Sequence, residues 1–431
     1  MSDRECFVYV DLGGKPILAG RLWARLRKGR ETATFEYDRS WLTHPERFSL
    51  EPALAVGPGL FHTAGDRPLF GAIGDSAPDR WGRVLMRRAE RRRAEKAGER
   101  PRTLQEIDFL LMVDDEARQG ALRFADVAGG SFLACESGAG GSGRIPPLVA
   151  LPKLLSASDR VLAEEDSDED LRLLLAPGSS LGGARPKASV RDRGGQLAVA
   201  KFPQRNDETD VIGGEAVALA LAGRAGIEVP EWRLESVARR RILLLRRFDR
   251  DGGVRVPFLS AMSMLGAGDH ETRSYLEIAD ALRLHGAAPR QDLRALWRRM
   301  VFNVLVSNTD DHLRNHGFLW SGRGGWRLSP AYDLNPVPAD IAPRMLCLAI
   351  DVDDRRASLE SALRVAEYFE LEPHEAGTIA GEVGKVVSGW RRQASRLGLA
   401  AAAIERMASA FEHDDLRAAA ALGRRRASGE R

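Results

Sequence analysis

The chain has 431 residues, of which 44% are apolar and 29% are charged, a composition that supports a hydrophobic core and excludes wholesale disorder. Its 64 basic and 61 acidic residues leave a net charge of only +3, which excludes a histone-like polycation. At about 150 residues per domain, this length predicts two or three domains.

The cysteines and the hydropathy pattern predict a cytoplasmic protein. Cys6, Cys135 and Cys347 are odd in number and lie far apart, so they suit neither a disulfide framework nor a C-x-x-C metal knuckle. The first residues lack the apolar stretch of a secretory signal. Charged residues interrupt every Ala/Leu-rich stretch before it reaches the length of a membrane span, and we therefore expect no membrane partner.

The first part of the chain shows short strand patterns followed by helical ones. Alternating apolar residues predict strands, and a Pro/Gly-rich stretch at 45–68 predicts a loop. Apolar residues at helical spacing then predict two helices before one more strand. The predicted strands are 7–23 (split by a turn at 13–15), 33–37 and 120–127, and the helices begin at 78 and 104.

Residues 129–147 are the best linker candidate, because they contain ESGAGGSGRIPP and few apolar groups. Helical patterns follow at 148–155 and 164–175, then a predicted hairpin and a helix ended by Gly226. The hairpin strands are 188–191 and 196–202, the helix is 215–226, and two more strands lie within 230–250. From Tyr275 onward the pattern is mainly helical, with one predicted break at 308–333.

A glycine-rich segment, GSSLGGARPKASV, precedes the predicted hairpin. Small residues let backbone N–H groups approach and cradle phosphate oxygens. The segment is not a Walker A loop, because Lys187 does not follow a glycine and a strand pattern comes next. Taken alone, the segment is equally typical of a surface turn.

Two charged residues follow this loop at positions that suit a nucleotide site. Lys201 stands among apolar neighbours on the second hairpin strand, and Glu215 is placed in the first turn of the next predicted helix. A lysine paired with a helical glutamate would point its ammonium at a phosphate. The simpler alternatives are a surface lysine with a buried stem and a glutamate at a helix N-terminus.

The segment SNTDDHLRNHGF carries the strongest signal. A predicted buried helix ends before Asn308, and a cluster of polar residues follows it. Asp310 and Asn315 are five residues apart, and Asp333 ends a short predicted hairpin after them. Phosphoryl transfer needs a carboxylate to orient the attacking hydroxyl, and an amide and a second carboxylate to hold magnesium. The order and spacing of these three residues therefore predict phosphoryl transfer.

Other chemistries fit the residues less well. Asp311, His312 and His316 could suggest a zinc site, but no cysteine lies near and three or four ligands would be required. We therefore interpret His312 as a supporting or nucleotide-contacting residue.

The ordered set of motifs resembles the HipA family of serine/threonine kinases, the toxins of bacterial type II toxin–antitoxin pairs. The resemblance rests on DSAPDRWGR, SSLGGARPKAS, VAKFP, RRFDR, SNTDDHLRNHGF and SPAYDLNP, which span most of the chain. It implies an α+β, protein-kinase-like fold of two lobes, with a β-rich N-terminal part and a mainly helical C-terminal lobe. The implied domains are an N-terminal subdomain at 1–128, a kinase N-lobe with the glycine-rich loop at 148–252, and a helical C-lobe at 253–431.

The resemblance also implies roles for individual residues. Asp310 is expected to be the catalytic base, Asn315 and Asp333 the Mg²⁺ ligands, and Glu215 a supporting residue. The expected ATP contacts are Gly182, Gly183, Ala184, Arg185, Pro186, Lys187, Lys201, Arg246, Phe248, His312 and Tyr332. Ser180, with Ser179 as the alternative, matches the loop serine that some members autophosphorylate. A phosphate there would repel ATP and favour an ejected loop.

The implied activity is an ATP- and Mg²⁺-dependent protein serine/threonine kinase that acts as a toxin. Its protein substrate would be an aminoacyl-tRNA synthetase or another translation factor. Its partner would be a small helix-turn-helix antitoxin, through which DNA is contacted only indirectly. Two alternatives are a small-molecule phosphotransferase and a catalytically silent corepressor of an antitoxin. The arginine-rich segment 87–102 is interpreted as a solvated helix face, with a nucleic-acid surface as the alternative.

Overall fold

The structure is a computed structural model that describes residues 3–65, 67–134, 145–175, 183–269 and 271–427. The strands follow the sequence-based predictions closely. They are β1 (Arg4–Leu12), β2 (Lys15–Arg27), β3 (Arg30–Tyr37), β4 (Leu60–His62), β5 (Leu122–Ala125), β6 (Lys187–Arg191), β7 (Leu197–Lys201), β8 (Trp232–Val237), β9 (Arg240–Arg246), β10 (Arg250–Asp251), β11 (Val254–Arg255), β12 (Phe258–Ser260), β13 (Gly317–Trp320) and β14 (Trp326–Leu328).

The helices dominate the last third of the chain, as predicted. They are α1 (Arg39–Thr43), α2 (Gly71–Gly74), α3 (Arg80–Ala97), α4 (Glu106–Met112), α5 (Leu151–Leu162), α6 (Asp168–Leu175), α7 (Val211–Arg224), α8 (Ala261–Met264), α9 (Tyr275–His285), α10 (Pro289–Leu305), α11 (Leu359–Arg364), α12 (Pro373–Val387), α13 (Trp390–Arg396), α14 (Ala401–Arg406), α15 (Ala408–Phe411) and α16 (Asp414–Ala427). In the described ranges, no helix has the length and apolar character needed to cross a membrane.

Residue contacts divide the chain into two compact units, described separately below. The first unit is Met1–Arg205 with Glu235–Leu259, and the second is Asn206–Leu234 with Ser260–Arg431. The first therefore includes all of the predicted subdomain 1–128 and most of the predicted N-lobe 148–252. Helix α7, which the sequence analysis assigned to that N-lobe, belongs to the second unit.

The first unit contains two larger sheets and the two-stranded β10–β11 ribbon. One has the strand order β4-β3-β2-β1-β5, and its inward side chains, among them Val8, Leu22 and Phe35, are fully buried. In the other, β7 lies between β6 and β9, with Lys201 opposite both Lys187 and Leu243. Its apolar face packs with α3, α5 and α6 into one core. The β-rich part of the predicted α+β fold is therefore confirmed.

A carboxyl buried below the first sheet predicts a pH-dependent stability. Glu51 is 3% exposed and accepts a hydrogen bond from the backbone N–H of Ala72. Burial raises the pKa of Glu51 to about 7 even though that hydrogen bond opposes the shift. Since the folded state then binds the proton more tightly than the unfolded chain, stability should fall as the pH rises from about 4.5 through 7, by up to about 3 kcal/mol.

Replacing this carboxyl tests that expectation. As the pH rises from 5 to 8, the stability of Glu51→Gln relative to wild type should increase. Glutamine can still accept the Ala72 hydrogen bond, and it does not ionise. Urea unfolding midpoints at the two pH values measure the effect. Glu36→Gln, at an exposed position of β3, is the matched control, and equal pH dependence in all three proteins would contradict the expectation.

Intramolecular ion pairs account for much of the arginine-rich segment on α3. Arg88 pairs with Asp166, and Arg93 pairs with Glu90 at 3.0 Å and with Glu99 at 2.9 Å. Lys96 likewise pairs with Asp168, while Arg102 lies 3.3 Å from Asp108. These pairs favour the interpretation of 87–102 as a solvated helix face over that of a nucleic-acid surface.

The second unit is built around α10. The side chains of Leu293, Trp297, Met300, Val304 and others on this helix are fully buried, as its helical spacing of apolar residues predicts. Helix α12 packs on both α10 and α16, and α7 packs on α13. The mainly helical lobe that the sequence predicted is thus confirmed.

The break in this helical pattern is longer than predicted. The sequence analysis ended it at Asp333, but the next helix after β14 is α11, which begins at Leu359. Residues 329–358 hold four prolines, at 330, 336, 338 and 343, each of which lacks a backbone N–H and disfavours a helical residue before it. The segment instead closes through isolated bridges such as Met345 with Arg356.

Candidate active site

The polar loop after α10 is held by its own backbone. The helix ends at Leu305, and Ser307 adopts a left-handed conformation with φ +52°. The N–H of His312 then donates to the carbonyl of Asp310 at 3.0 Å, and the N–H of Asn315 donates to that of His312 at 2.8 Å. A short 3₁₀ helix, Leu313–Asn315, leads into β13. Asp310 and Asn315 are therefore presented on one tight turn.

Asn315 is oriented by a hydrogen bond that leaves its carbonyl oxygen available. Its side chain is 3% exposed, and Nδ2 donates to the backbone carbonyl of Asp310 at 3.0 Å. Its Oδ1 is buried and has no hydrogen-bond partner within the described residues. A buried, unsatisfied carbonyl oxygen is costly, and a hard cation such as Mg²⁺ prefers oxygen ligands of this kind. The residue therefore fits the predicted role of metal ligand.

Asp310 lies close to the second predicted ligand. Its carboxylate is exposed, and its Oδ1 lies 3.8 Å from Sγ of Cys347. Partial desolvation raises the pKa of Asp310; the nearby charge of Asp333 adds to this rise, and His312 opposes it. The structure thus brings Asp310, His312 and Asp333 within electrostatic reach of one another. Two carboxylates that interact in this way disfavour each other's ionisation.

Asp333 follows the β13–β14 hairpin in an unusual backbone conformation. Its φ is +57°, a left-handed value that costs a non-glycine residue about 1 kcal/mol or more. Its Oδ1 accepts a hydrogen bond from Nδ2 of Asn335 at 3.0 Å. Beside it, the hydroxyl of Tyr332 donates to the carbonyl of Arg314 at 2.6 Å, which ties the hairpin exit to the Asp310 loop.

Asp311 and His316 form buried hydrogen bonds that stabilise the loop from inside, a role that the sequence analysis did not assign. Asp311 is 2% exposed, and its Oδ2 accepts from the hydroxyl of Tyr275 and lies 2.9 Å from Nε2 of His316. Burial by itself would raise the pKa of Asp311, but His316 and Tyr275 help to hold it below its ordinary value. The only signal in the sequence was the Asp311–His316 spacing, which also suited a metal site.

His312 is half-buried, and its Nδ1 has no hydrogen-bond partner in the part of the chain that the structure describes. Its ring lies beside Asp310, whose pKa it lowers. A contact with a nucleotide stays a prediction for this residue.

Lys187, predicted to contact ATP, makes a buried ion pair within the first unit. It is 2% exposed, and Nζ donates to Oδ2 of Asp79 at 2.6 Å and to the carbonyl of Gly183 at 3.1 Å. Asp79 also caps α3, and the indole of Trp81 donates to the carbonyl of Lys187 at 3.1 Å. The DSAPDRWGR motif therefore anchors the start of β6 through Lys187.

The other predicted nucleotide residues of the first unit lie close to this strand. Lys201 is half-buried and stands opposite Lys187 on the same face of the sheet. Gly183 has φ +78°, while Ala184 is exposed and Pro186 is buried. Their nucleotide contacts, and that of the half-buried Arg185, stay predictions. Gly182, Ser179 and Ser180 lie outside the described residues.

The expected position of Glu215 needs a correction. It was placed in the first turn of its helix, but α7 begins at Val211, so Glu215 is the fifth helical residue. The side chain of Asp210 caps the helix by accepting from the N–H of Gly213 at 2.8 Å. The sequence analysis missed this cap, which begins the helix four residues earlier. Glu215 itself is 2% exposed.

The RRFDR motif is built around an interior ionic cluster that the sequence analysis missed. Asp249 is fully buried and accepts from Arg247 at 2.6 Å, from Arg250 at 2.8 Å and from the N–H of Gly120 at 2.7 Å. Arg247 also donates to the carbonyl of Ala117 at 2.8 Å. The adjacent Arg246 and Phe248, predicted to contact adenine, are half-buried, and that contact stays a prediction.

The chain is similar to several known proteins. Residues 179–390 match the model of the HipA-like C-terminal domain. A protein of Sinorhizobium fredii named "Putative kinase Y4mE" is 27% identical over 160 residues, which cover 34% of this chain and 36% of that protein. A Haemophilus influenzae protein named "Putative kinase" is 26% identical over 156 residues, covering 32% and 45%. The alignments thus span less than half the length of these relatives.

The fold of nearly the whole chain has a solved counterpart. HipA of Shewanella oneidensis, determined with HipB and its operator DNA, superposes with a TM-score of 0.65 at 16% sequence identity and covers 96% of each chain. At this identity the likeness concerns the fold, and it confirms the predicted two-part α+β architecture. The segment 179–390 therefore belongs to the HipA-like C-terminal domain family, and the fold of nearly the whole chain resembles that of HipA.

Proposed function

We propose that the protein is an ATP- and Mg²⁺-dependent kinase that transfers the γ-phosphate of ATP to serine or threonine residues of proteins. The observation that carries this proposal is the arrangement around Asn315. Its buried Oδ1 has no partner within the described residues, while the carboxylates of Asp310 and Asp333 interact beside it. An amide oxygen and two carboxylates are the groups that phosphoryl transfer to a hydroxyl requires.

The three side chains would divide the work between them. Asn315 and Asp333 would hold Mg²⁺, which when bound neutralises charge on the phosphates. Asp310 orients the hydroxyl of the protein substrate and accepts its proton. Its exposure to solvent suits this role, because a protein hydroxyl must reach the carboxylate from outside. Lys201 and the segment 183–187 are proposed to contact the phosphates, and Arg246 and Phe248 the adenine.

The biological role is proposed from the family. The protein would act as the toxin of a type II toxin–antitoxin pair and bind a small helix-turn-helix antitoxin, because its fold is that of a HipA found with HipB and operator DNA. Its target would be an aminoacyl-tRNA synthetase or another translation component. Autophosphorylation of Ser180, or of Ser179, would switch the kinase off by placing negative charge where ATP phosphates bind.

The proposal is tested by following the γ-phosphate of labelled ATP in the full chain mixed with cell-extract proteins. The wild type should label protein on serine or threonine only when Mg²⁺ is present. Asn315→Leu, which keeps the side-chain volume but removes Oδ1, should reduce labelling by about 10–100-fold. Asn206→Leu, at an exposed position, is the matched control and should behave as wild type.

Three results would overturn the assignment. Equal labelling by Asn315→Leu and wild type would remove the role of the amide oxygen. Label on small metabolites rather than proteins would make the chain a small-molecule phosphotransferase. Nucleotide binding without any transfer would leave a catalytically silent partner of an antitoxin.

A further inference from the structure

A continuous path of hydrogen bonds connects the Asp310–Asn315 loop to Asp333 through the interior of the second unit. The hydroxyl of Tyr275 donates to Asp311 and accepts from Nδ2 of Asn303 at 3.2 Å. Oδ1 of Asn303 accepts from Nδ2 of Asn308 at 3.1 Å. The path therefore leaves the loop through α9 and α10 before it returns to the end of the helix.

The path continues from Asn308 to the second predicted metal ligand. Oδ1 of Asn308 accepts from the backbone N–H of Asn335 at 3.3 Å. Nδ2 of Asn335 donates to Oδ1 of Asp333 at 3.0 Å and to its carbonyl at 3.3 Å. The two ends of the path are the carboxylates of Asp311 and Asp333. The groups between them are neutral amides and the phenol of Tyr275.

Burial makes this path rigid. Tyr275 and Asn303 are fully buried, and Asn308 is 1% exposed. In such surroundings water cannot replace a broken hydrogen bond, and the polar group left behind is unsatisfied. Breaking any one bond of the path is therefore costly, and each side chain is held in place. Asn303 and Asn308 each use both ends of the side-chain amide, so neither side chain can rotate without breaking two bonds.

We propose that Asn308 and Asn335 are positioning residues, which hold the Asp333 carboxylate in register with the loop that carries Asp310 and Asn315. The amide of Asn335 contacts both the carboxylate and the backbone carbonyl of Asp333, whose φ of +57° is uncommon outside glycine. This inference rests on the proposed function, since it assigns Asp333 a Mg²⁺. It adds two residues, from outside the ligand set, on which the affinity for that ion depends.

The test uses the full chain and a fluorescent ATP analogue whose binding is followed while Mg²⁺ is titrated. Asn335→Ala and Asn308→Leu should each raise the Mg²⁺ concentration at half-maximal binding about 10–100-fold, the usual cost of losing a residue that orients a metal ligand. Binding at saturating Mg²⁺ should be retained.

A kinetic measurement separates positioning from a general loss of structure. In phosphate transfer, the Asn335→Ala variant should need more Mg²⁺ for half-maximal rate while its turnover at saturating Mg²⁺ stays close to that of wild type. Asn206→Ala is the control and should shift neither value. If Asn308→Leu is unfolded by circular dichroism, Asn335→Ala, whose side chain is half-buried, still decides the question.

The two proposals fail in different ways. A Mg²⁺ dependence of Asn335→Ala and Asn308→Leu within about twofold of wild type, in an active kinase, would overturn the positioning role alone. Mg²⁺-dependent nucleotide binding that shifts in both variants, in a chain that transfers no phosphate, would overturn the kinase assignment and support the positioning role.

Discussion

Replacing Asp310 with alanine is expected to lower the rate of phosphate transfer by about 10²–10⁴-fold, the usual contribution of a general base. The carboxylate would orient the acceptor hydroxyl and take its proton. The backbone carbonyl of Asp310 holds Asn315 Nδ2 and the His312 N–H, both at 3.0 Å. Alanine keeps that carbonyl, so the loop and the Mg²⁺ ligands should stay in place.

Single-turnover transfer from labelled ATP and Mg²⁺-dependent binding of the nucleotide analogue measure the two effects separately. Asp310→Ala should lose phosphate transfer and retain Mg²⁺-dependent nucleotide binding, and Asp310→Asn should behave in the same way. Asp353→Ala removes an exposed carboxylate from the same unit and should leave both unchanged. Transfer by Asp310→Ala at more than about a tenth of the wild-type rate would exclude Asp310 as the base.

Replacing Asp249 with alanine is expected to destabilise the first unit by about 3–5 kcal/mol, because it leaves two buried guanidinium groups without their carboxylate. Arg247 and Asp249 are 2% and 0% exposed, and Arg250 is 8% exposed. Although burial acts to raise the pKa of Asp249, the two arginines hold it well below its ordinary value, so the group is charged at neutral pH. The substitution also frees the N–H of Gly120.

Chemical unfolding followed by circular dichroism and tryptophan fluorescence measures this loss. Asp251→Ala, two residues along and exposed on β10, is the matched control and should change stability by about 0.5 kcal/mol or less. Asp249→Asn should lie between the two, because an amide oxygen still accepts from Gly120 or one arginine. An unfolding midpoint of Asp249→Ala equal to that of the control would show that the arginines find other partners.

The elements of this protein are readable from local patterns. The period-2 and period-3.6 repeats of apolar residues predicted β1, β2, α3 and α10 at nearly their observed positions. The proximity of Asp310 and Asn315 could also be predicted from the sequence, because both residues lie on a single turn after α10. Their relative position therefore depends little on distant parts of the chain. Asp333 could be added because only a short hairpin separates it from them.

The partners of the charged residues were not readable in this way. Lys187 is predicted to contact the phosphates, but no local pattern indicated that its ammonium pairs with Asp79, 108 residues away. Asp249 receives its backbone hydrogen bond from Gly120, 129 residues away. A sequence pattern does not indicate which of the many distant carboxylates or N–H groups a buried charge will meet.

By itself the sequence determined the order of the elements, which follows from hydrophobic periodicity, and its resemblance to the HipA family implied the fold class. It also predicted Asp310, Asn315 and Asp333 as residues for phosphate chemistry, because their spacings are local. The tertiary structure decided how those residues are held: that Asn315 keeps an unpaired oxygen in the described site, and that Asn303, Asn308 and Asn335 connect Tyr275 to Asp333. The physical reason is that the cost of a buried, unsatisfied polar group is set by whatever surrounds it after folding, and those surroundings come from distant parts of the chain.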